Sequence, residues 1–171
     1  MTIQIRSEDD IKIELIRLAK QINDDYKNVK CLDIICFING ASVFCSDLIR
    51  LLNIPIRLHH FGFSAYQQIP ENGEIKIDQD LKSPIYMKDV LLLEGLIISG
   101  KTPFYLFNFF KSRNPSSIKL CALGIKKSLI EVDLNTDYYM FEFKDEWVEG
   151  YGIGSDNNKC LPYLVDARST T

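Results

Sequence analysis

"KDVLLLEGLIISGKTPFYLF", residues Lys88 to Phe107, joins a run of buried-strand character to a helical pattern through the short turn Ile98-Ser99-Gly100-Lys101-Thr102. The reading of this join decides the fold. "VLLLEG" is a continuous apolar run of strand length, as expected for a strand covered on both faces. "TPFYLFNFFKS" then carries a helix with Pro103 in its first turn, where a missing N–H costs nothing. Backbone N–H groups at a helix start face one way and carry the positive end of the helix dipole, so an anion is welcome at such a turn. Ser99 and Thr102 add hydroxyl donors, and Gly100 permits close backbone approach. The closing Gly-Lys-Thr matches the end of a Walker A loop, with Gly95 where its first glycine belongs. The intervening "LIIS" is too apolar to cradle a polyphosphate, so that match fails. Taken alone, the segment reads as a strand-to-helix turn that binds nothing. It is also short of acid, since the strand exit offers Glu94 alone.

Working outward, Ile11, Leu15, Leu18, Ile22 and Tyr26 recur at steps of three and four and draw one apolar stripe along a helix, with Ser7 and Asp10 as its capping box. "LDIICFI", Leu32 to Ile38, is a second buried strand, and "NGAS" leads into a helical pattern from Val43 to Leu52. "IPIRLHHFGFSAY", Ile54 to Tyr66, reads as a strand with Pro55 at its entrance, and "GEIKIDQDL" alternates with period two like a half-exposed strand. Between them "QQIPENGE" is polar and bears Pro and Gly, which predicts a mobile loop. "SIKLCALGI" is a further buried strand. Strands alternating with helices predict an α/β fold with a mostly parallel, doubly wound sheet and helices on both faces. From residue 136 on, the alternation gives way to "DYYMFEFKDEWVEGYGIG", expected to form a hood of short strands over one end of the sheet. The expected division is one domain over residues 1–171, with a core over 30–135 and a hood from 1–10 and 136–171.

A chain of 171 residues is long enough for one sizeable core and too short for two. The formal charge of −3, with no basic stripe, disfavours nucleic acid as the main partner on electrostatic grounds. Cys31, Cys36, Cys45, Cys121 and Cys160 lack the close pairing of a zinc or redox motif and read as free thiols, mostly buried. No apolar run is long enough to span a membrane and no signal peptide is evident, so a cytoplasmic protein is expected.

The order of motifs says more than any one of them. "CFINGASVFCSDLIRLLNIPIRL", "GFSAYQQ", "DVLLLEGLIISGKT", "ALGIKK" and "DYYMFEFKDEWVEGYGIG" with "LPYLV" together resemble the hypoxanthine (hypoxanthine-guanine) phosphoribosyltransferases over almost the whole chain. The resemblance implies a type I phosphoribosyltransferase fold. It also implies a purine-salvage reaction in which phosphoribosyl pyrophosphate (PRPP), with Mg²⁺, converts hypoxanthine or guanine to IMP or GMP. By that resemblance Ile98, Ser99, Gly100, Lys101 and Thr102 hold the ribose 5′-phosphate, and Asn39 and Gly40 form the pyrophosphate-side loop, with Asn39 where the family has lysine. Ser64 and Tyr66 belong to a catalytic loop that closes over the reacting centre, and Lys126 meets the purine 6-oxo group. Trp147 stacks on the base, and the backbone of Val148 meets the purine edge. A homodimer or homotetramer is implied, and the aromatic "FYLFNFF" is rich enough to cover an interface as well as a core.

The departures concentrate on charge. Where the family reads Glu-Asp-Ile-Ile-Asp-Thr-Gly, this chain reads Glu94-Gly95-Leu96-Ile97-Ile98-Ser99-Gly100. Glu94 is left as the one catalytic and metal-binding carboxylate there, Ile98 stands at the acid/base position, and Gly95 stands at a metal-site acid. Gly154 stands at another, in "GIGS". Ile125 replaces the acid before the purine lysine, and Lys159 is the nearest match to a pyrophosphate-site arginine. The pattern predicts retained binding and reduced catalysis, because a general acid/base contributes about 10²–10⁴-fold. Two alternatives stand beside it: a working salvage transferase, or a nucleotide-sensing subunit that pairs with an active relative. Restoring both acids, Ile98→Asp with Gly95→Asp, is expected to revive turnover. Each residue has a plainer reading too: Trp147 in the core, Lys126 in a solvated pair with Lys127, Glu94 capping a turn. Of His59 and His60, adjacent on a strand, one is expected to face inward.

Overall fold

The computed structural model describes residues 3–65, 75–156 and 158–168. The expected "QQIPENGE" loop and Tyr66 fall outside these residues, as does the side chain of Asn39. Nine strands and three α-helices are described. In chain order they are β1 (Ile3–Arg6), α1 (Glu8–Asp25), β2 (Leu32–Phe37), α2 (Ile38–Ile49), β3 (Ile56–Ala65), β4 (Ile75–Gln79), β5 (Asp89–Ile97), α3 (Lys101–Lys111), β6 (Ser117–Ile125), β7 (Tyr138–Glu142), β8 (Val148–Glu149) and β9 (Leu164–Asp166). A six-stranded sheet runs in the order β4-β3-β2-β5-β6-β7. All its pairings are parallel except that of β4, which returns antiparallel beside β3 at the edge.

The sheet is buried on both faces, which is why its central strands read as unbroken apolar runs. On one face Leu15, Leu18 and Ile22 of α1 and Phe44 and Leu48 of α2 pack on Ile34, Cys36, Leu91 and Leu93. On the other, Leu106 and Phe110 of α3 meet Ile35, Phe37, Phe61 and Leu92. Phe110 lies edge-on to Phe61, ring centres 4.8 Å apart, a geometry aromatic quadrupoles favour. The Ser7–Asp10 capping box opens α1 as expected, Ser7 N–H donating to Asp10 at 2.8 Å and Asp10 N–H to Ser7 Oγ at 3.1 Å. His59 faces inward, 2.7 Å from the buried Asp33, while His60 is exposed. Of the thiols, Cys36, Cys45 and Cys121 are buried, Cys160 is exposed, and all five are free. No helix among the described residues is long and apolar enough to cross a membrane.

Two boundaries differ from the sequence expectation. The second helix begins at Ile38, not Val43. Asn39 and Gly40 look like turn residues in isolation, but Gly40 packs against Gly95 of β5, and that close contact overrides local preference. The hood is also smaller than residues 136–171: Tyr138–Glu142 is a core strand, paired parallel with β6. Its burial between Arg17 and Tyr26 of α1 and the β6 edge explains this, with Tyr138 hydrogen-bonded to Asp25 at 2.6 Å. The remaining hood is an antiparallel sheet, β1-β9-β8. It is pinned to α2 through Tyr151, whose hydroxyl donates to Asp47 at 2.5 Å.

Candidate functional site

The chain leaves β2 toward β3 on one side and β5 toward β6 on the other, so the carboxyl ends of β2 and β5 form a topological switch point. In open α/β sheets this is where ligands bind. From β5 the chain passes through Ile98-Ser99-Gly100 into α3, with Gly100 as a left-handed N-cap at φ 80°. Gly100 offers no side-chain cap, Lys101 N–H makes only a long contact to Ser99 Oγ at 3.4 Å, and Pro103 has no N–H to give, so the helix start is weakly satisfied and suits an outside acceptor. The turn is braced from behind. Ser99 C=O accepts from Glu131 N–H at 2.9 Å, and Ile130, Val132 and Leu134 close in behind Gly100.

Ile98 stands 47% exposed at this turn, so an apolar side chain faces the opening instead of packing into the core. Lys101 is also exposed, its ammonium paired with Glu131 at 2.6 Å. Next to the turn, Lys126 N–H donates to Ile97 C=O at 2.9 Å, so the residue after β6 is fixed beside the residue before Ile98. Its side chain is only 6% exposed and its ammonium has no partner among the described residues. Its stem is therefore packed while the ammonium reaches solvent at the crevice, as long cationic side chains do. Trp147 is 62% exposed, so it is not core. Its backbone is held by Asp166, which accepts from Trp147 N–H at 2.9 Å, and by Ala167 N–H, which donates to Trp147 C=O at 2.8 Å. Val148, next to it, is buried in β8.

Across the crevice the structure is close-packed. A Cβ on Gly95 would lie 2.4 Å from Gly40 oxygen, so any side chain there collides with the backbone of α2. This corrects the expectation for the paired restoration: Gly95→Asp has no room. Glu94 accepts from its own Gly95 N–H at 2.8 Å, and burial pushes its carboxyl up to about 7. Ser64 lies in β3, its hydroxyl hydrogen-bonded to Asp78 of β4.

Gly154, at φ +94°, has no space either, because a Cβ would meet Glu149 Cγ at 2.5 Å. Sequence reasoning passed over Glu149, although it is the one charged residue in "WVEGYGIG". Its carboxylate accepts from Asn158 Nδ2 at 2.7 Å, Ser155 Oγ at 2.9 Å and, at longer range, Trp147 Nε1 at 3.3 Å and Ser155 N–H at 3.4 Å. The hydrogen bonds from Asn158 and then Ser155 hold that carboxyl below the ordinary glutamate range.

The comparisons with known proteins agree with this architecture. Residues 2–156 match the family model described as the phosphoribosyl transferase domain. A hypoxanthine phosphoribosyltransferase of Buchnera aphidicola is 36% identical over 163 residues, 94% of this chain and 92% of that protein. The chain belongs to the hypoxanthine-guanine phosphoribosyltransferase family. A hypoxanthine-guanine phosphoribosyltransferase of Dictyostelium discoideum is 34% identical, with 96% of this chain and 94% of that one covered. Among solved structures, the hypoxanthine phosphoribosyltransferase of Trypanosoma cruzi in complex with the product IMP superposes with a TM-score of 0.91 at 27% identity, covering 97% of this chain and 94% of that one. The type I phosphoribosyltransferase fold expected from the sequence is thus the observed one.

The donor set does not fit a magnesium ion held by this protein. Mg²⁺ takes hard oxygen ligands in near-octahedral order, commonly one or two carboxylates completed by waters and substrate phosphates. Gly95 and Gly154 offer none and admit none, Glu149 is taken up by hydrogen bonds, and Glu94 is half protonated near neutral pH. No cluster of three or more His, Cys, Asp or Glu side chains suited to a metal occurs among the described residues.

Proposed function

We propose that this family member binds a 6-oxopurine nucleotide, or PRPP, and that its phosphoribosyl transfer is weak or lost. In this reading the ribose 5′-phosphate sits on residues 98–102, the 6-oxo group on Lys126, and the base under Trp147 beside Val148. The observation that carries it is the contact between Gly95 and Gly40, which excludes a side chain where a metal-site acid would stand. Transfer requires pyrophosphate to leave a cation-like sugar, and charge stabilisation at that step is the largest catalytic term. Ile98 adds a second deficit, since it cannot move a proton. The phosphate turn, by contrast, keeps a weakly satisfied helix start with Ser99 and Thr102, and Lys126 keeps an ammonium with no partner among the described residues. The IMP bound to the Trypanosoma relative supports the choice of ligand class. On α3 the exposed Phe104 and Tyr105 support assembly as a homodimer or homotetramer, or with an active relative as a nucleotide-sensing subunit.

Trp147 is the only tryptophan, so its emission reports directly on the base position. IMP or GMP, titrated in the presence of a chelator, is expected to change that emission saturably. No change, with no heat in calorimetry, would defeat the proposal.

One observation favours a second reading, a working salvage transferase of hypoxanthine or guanine. Glu94, half-buried and pushed up to about 7 by desolvation, is poised as an acid/base group at neutral pH. In that case kcat/KM carries an inflection near 7 that Glu94→Gln removes.

A further inference from the structure

We infer that Glu149 is a positioning residue that ties the Trp147 indole to the 154–158 loop and so sets the plane on which a base stacks. The inference rests on reading Trp147 as the stacking residue. Trp147 and Glu149 are two apart along an extended segment, so their side chains project to the same side. The indole is 62% exposed, and an untethered side chain so exposed samples several rotamers. Its one polar atom, Nε1, donates to Glu149 Oε1 at 3.3 Å. Glu149 is itself 6% exposed. A carboxylate is buried to that degree only when hydrogen bonds replace its water. Here Asn158, Ser155 Oγ and Ser155 N–H supply them, at 2.7, 2.9 and 3.4 Å. The loop thus fixes the carboxylate, and the carboxylate fixes the ring.

Gly154 belongs to the same device. A Cβ there would lie 2.5 Å from Glu149 Cγ, so a side chain at 154 and Glu149 in its present rotamer exclude each other. Glu149 thereby links the Trp147 ring to the loop that carries Ser155 and Asn158, and it acts through Trp147 without touching ligand.

A double-mutant cycle separates this role from a structural one. Trp147→Phe keeps an aromatic face and removes the indole donor. Glu149→Gln is expected to weaken IMP binding, read by calorimetry, by roughly 3- to 10-fold when Trp147 is present, the size of one net hydrogen bond. In the Trp147→Phe background the same change should leave affinity within about 2-fold. Equal losses in both backgrounds, or none in either, would overturn the inference. A second readout needs no ligand. The emission anisotropy of Trp147 should fall in Glu149→Gln, and also in Ser155→Ala, which serves if the first variant does not fold. Unchanged anisotropy in a folded variant again overturns the tether. If the unmodified protein binds no IMP but the anisotropy falls as stated, the nucleotide-binding proposal fails while the tether stands.

Discussion

At the ends of β5 and β6 the chain keeps groups suited to holding a ligand: a weakly capped helix start, and a packed lysine whose ammonium has no counter-charge among the described residues. At Gly95, where β5 packs on the start of α2, and at Gly154, the positions to which the family resemblance assigns metal-site acids, the space is filled by backbone or by another side chain. The two sides of the crevice therefore differ in kind. One is open and chemically equipped, and the other is closed by packing. Loss of an acid by substitution alone leaves a vacancy that a single change can refill. Loss followed by closure does not, because protein interiors are dense and a displaced backbone carries its neighbours with it.

The largest expected effect tests that closure. Gly95→Asp is predicted to lower stability by about 3 kcal/mol, roughly 5–10 °C in Tm, since its Cβ meets backbone and not a flexible side chain. Ile98→Asp with Gly95→Asp should melt as early and gain no turnover. A double variant with the melting temperature of the original protein would break the comparison at its closed side.

On the open side, Trp147→Ala should weaken IMP binding by about 10- to 100-fold, as base stacking contributes about 1–3 kcal/mol. Thermal stability should hardly move, because the ring is mostly exposed. A binding curve unchanged by that substitution would remove the stacking assignment.

A third effect is read from pH. The Glu94 carboxyl titrates near 7 when folded and near 4.5 when unfolded, so the folded state binds the extra proton between these values. Stability should accordingly fall as pH rises from about 5 to 7 and stay low above that, by roughly 1–3 kcal/mol. Chemical denaturation of Glu94→Gln should show a flatter profile and higher stability at pH 8. An unchanged slope would mean that Glu94 is well solvated.

Smallest is the Lys101–Glu131 pair, with both side chains about half exposed. Glu131→Gln should change stability by less than about 1 kcal/mol, as exposed pairs do.

Much of this was legible in the sequence. Buried strands announced themselves because a sheet covered on both faces needs continuous apolar runs, and α1 because its stripe and capping box agree. The turn at residues 98–102 was legible as a strand-to-helix join, because a buried apolar run there meets a helical pattern with Pro103 in its first turn. The start of α2 was not, since Asn39 and Gly40 signal a turn locally and only the distant Gly95 makes them helical. Nor was β7, whose aromatic residues suit a hood strand as well as a core one. Glu149 escaped notice because its importance lies in Asn158, Ser155 and Trp147, partners that a fold brings together and a pattern does not. Gly95 and Gly154 stand where the family resemblance expects acids, but that their space is filled could be seen only in three dimensions.

The measurement that bears most directly on retained binding with lost transfer is steady-state formation of IMP and GMP from hypoxanthine or guanine, PRPP and magnesium. It should be made on the same folded preparation used for nucleotide titration. The account predicts turnover at least about 10²-fold below the ordinary enzymatic range of 1–10³ s⁻¹. Turnover within that range, abolished by Lys126→Ala, would contradict it and would make Glu94 the group that replaces the missing acids.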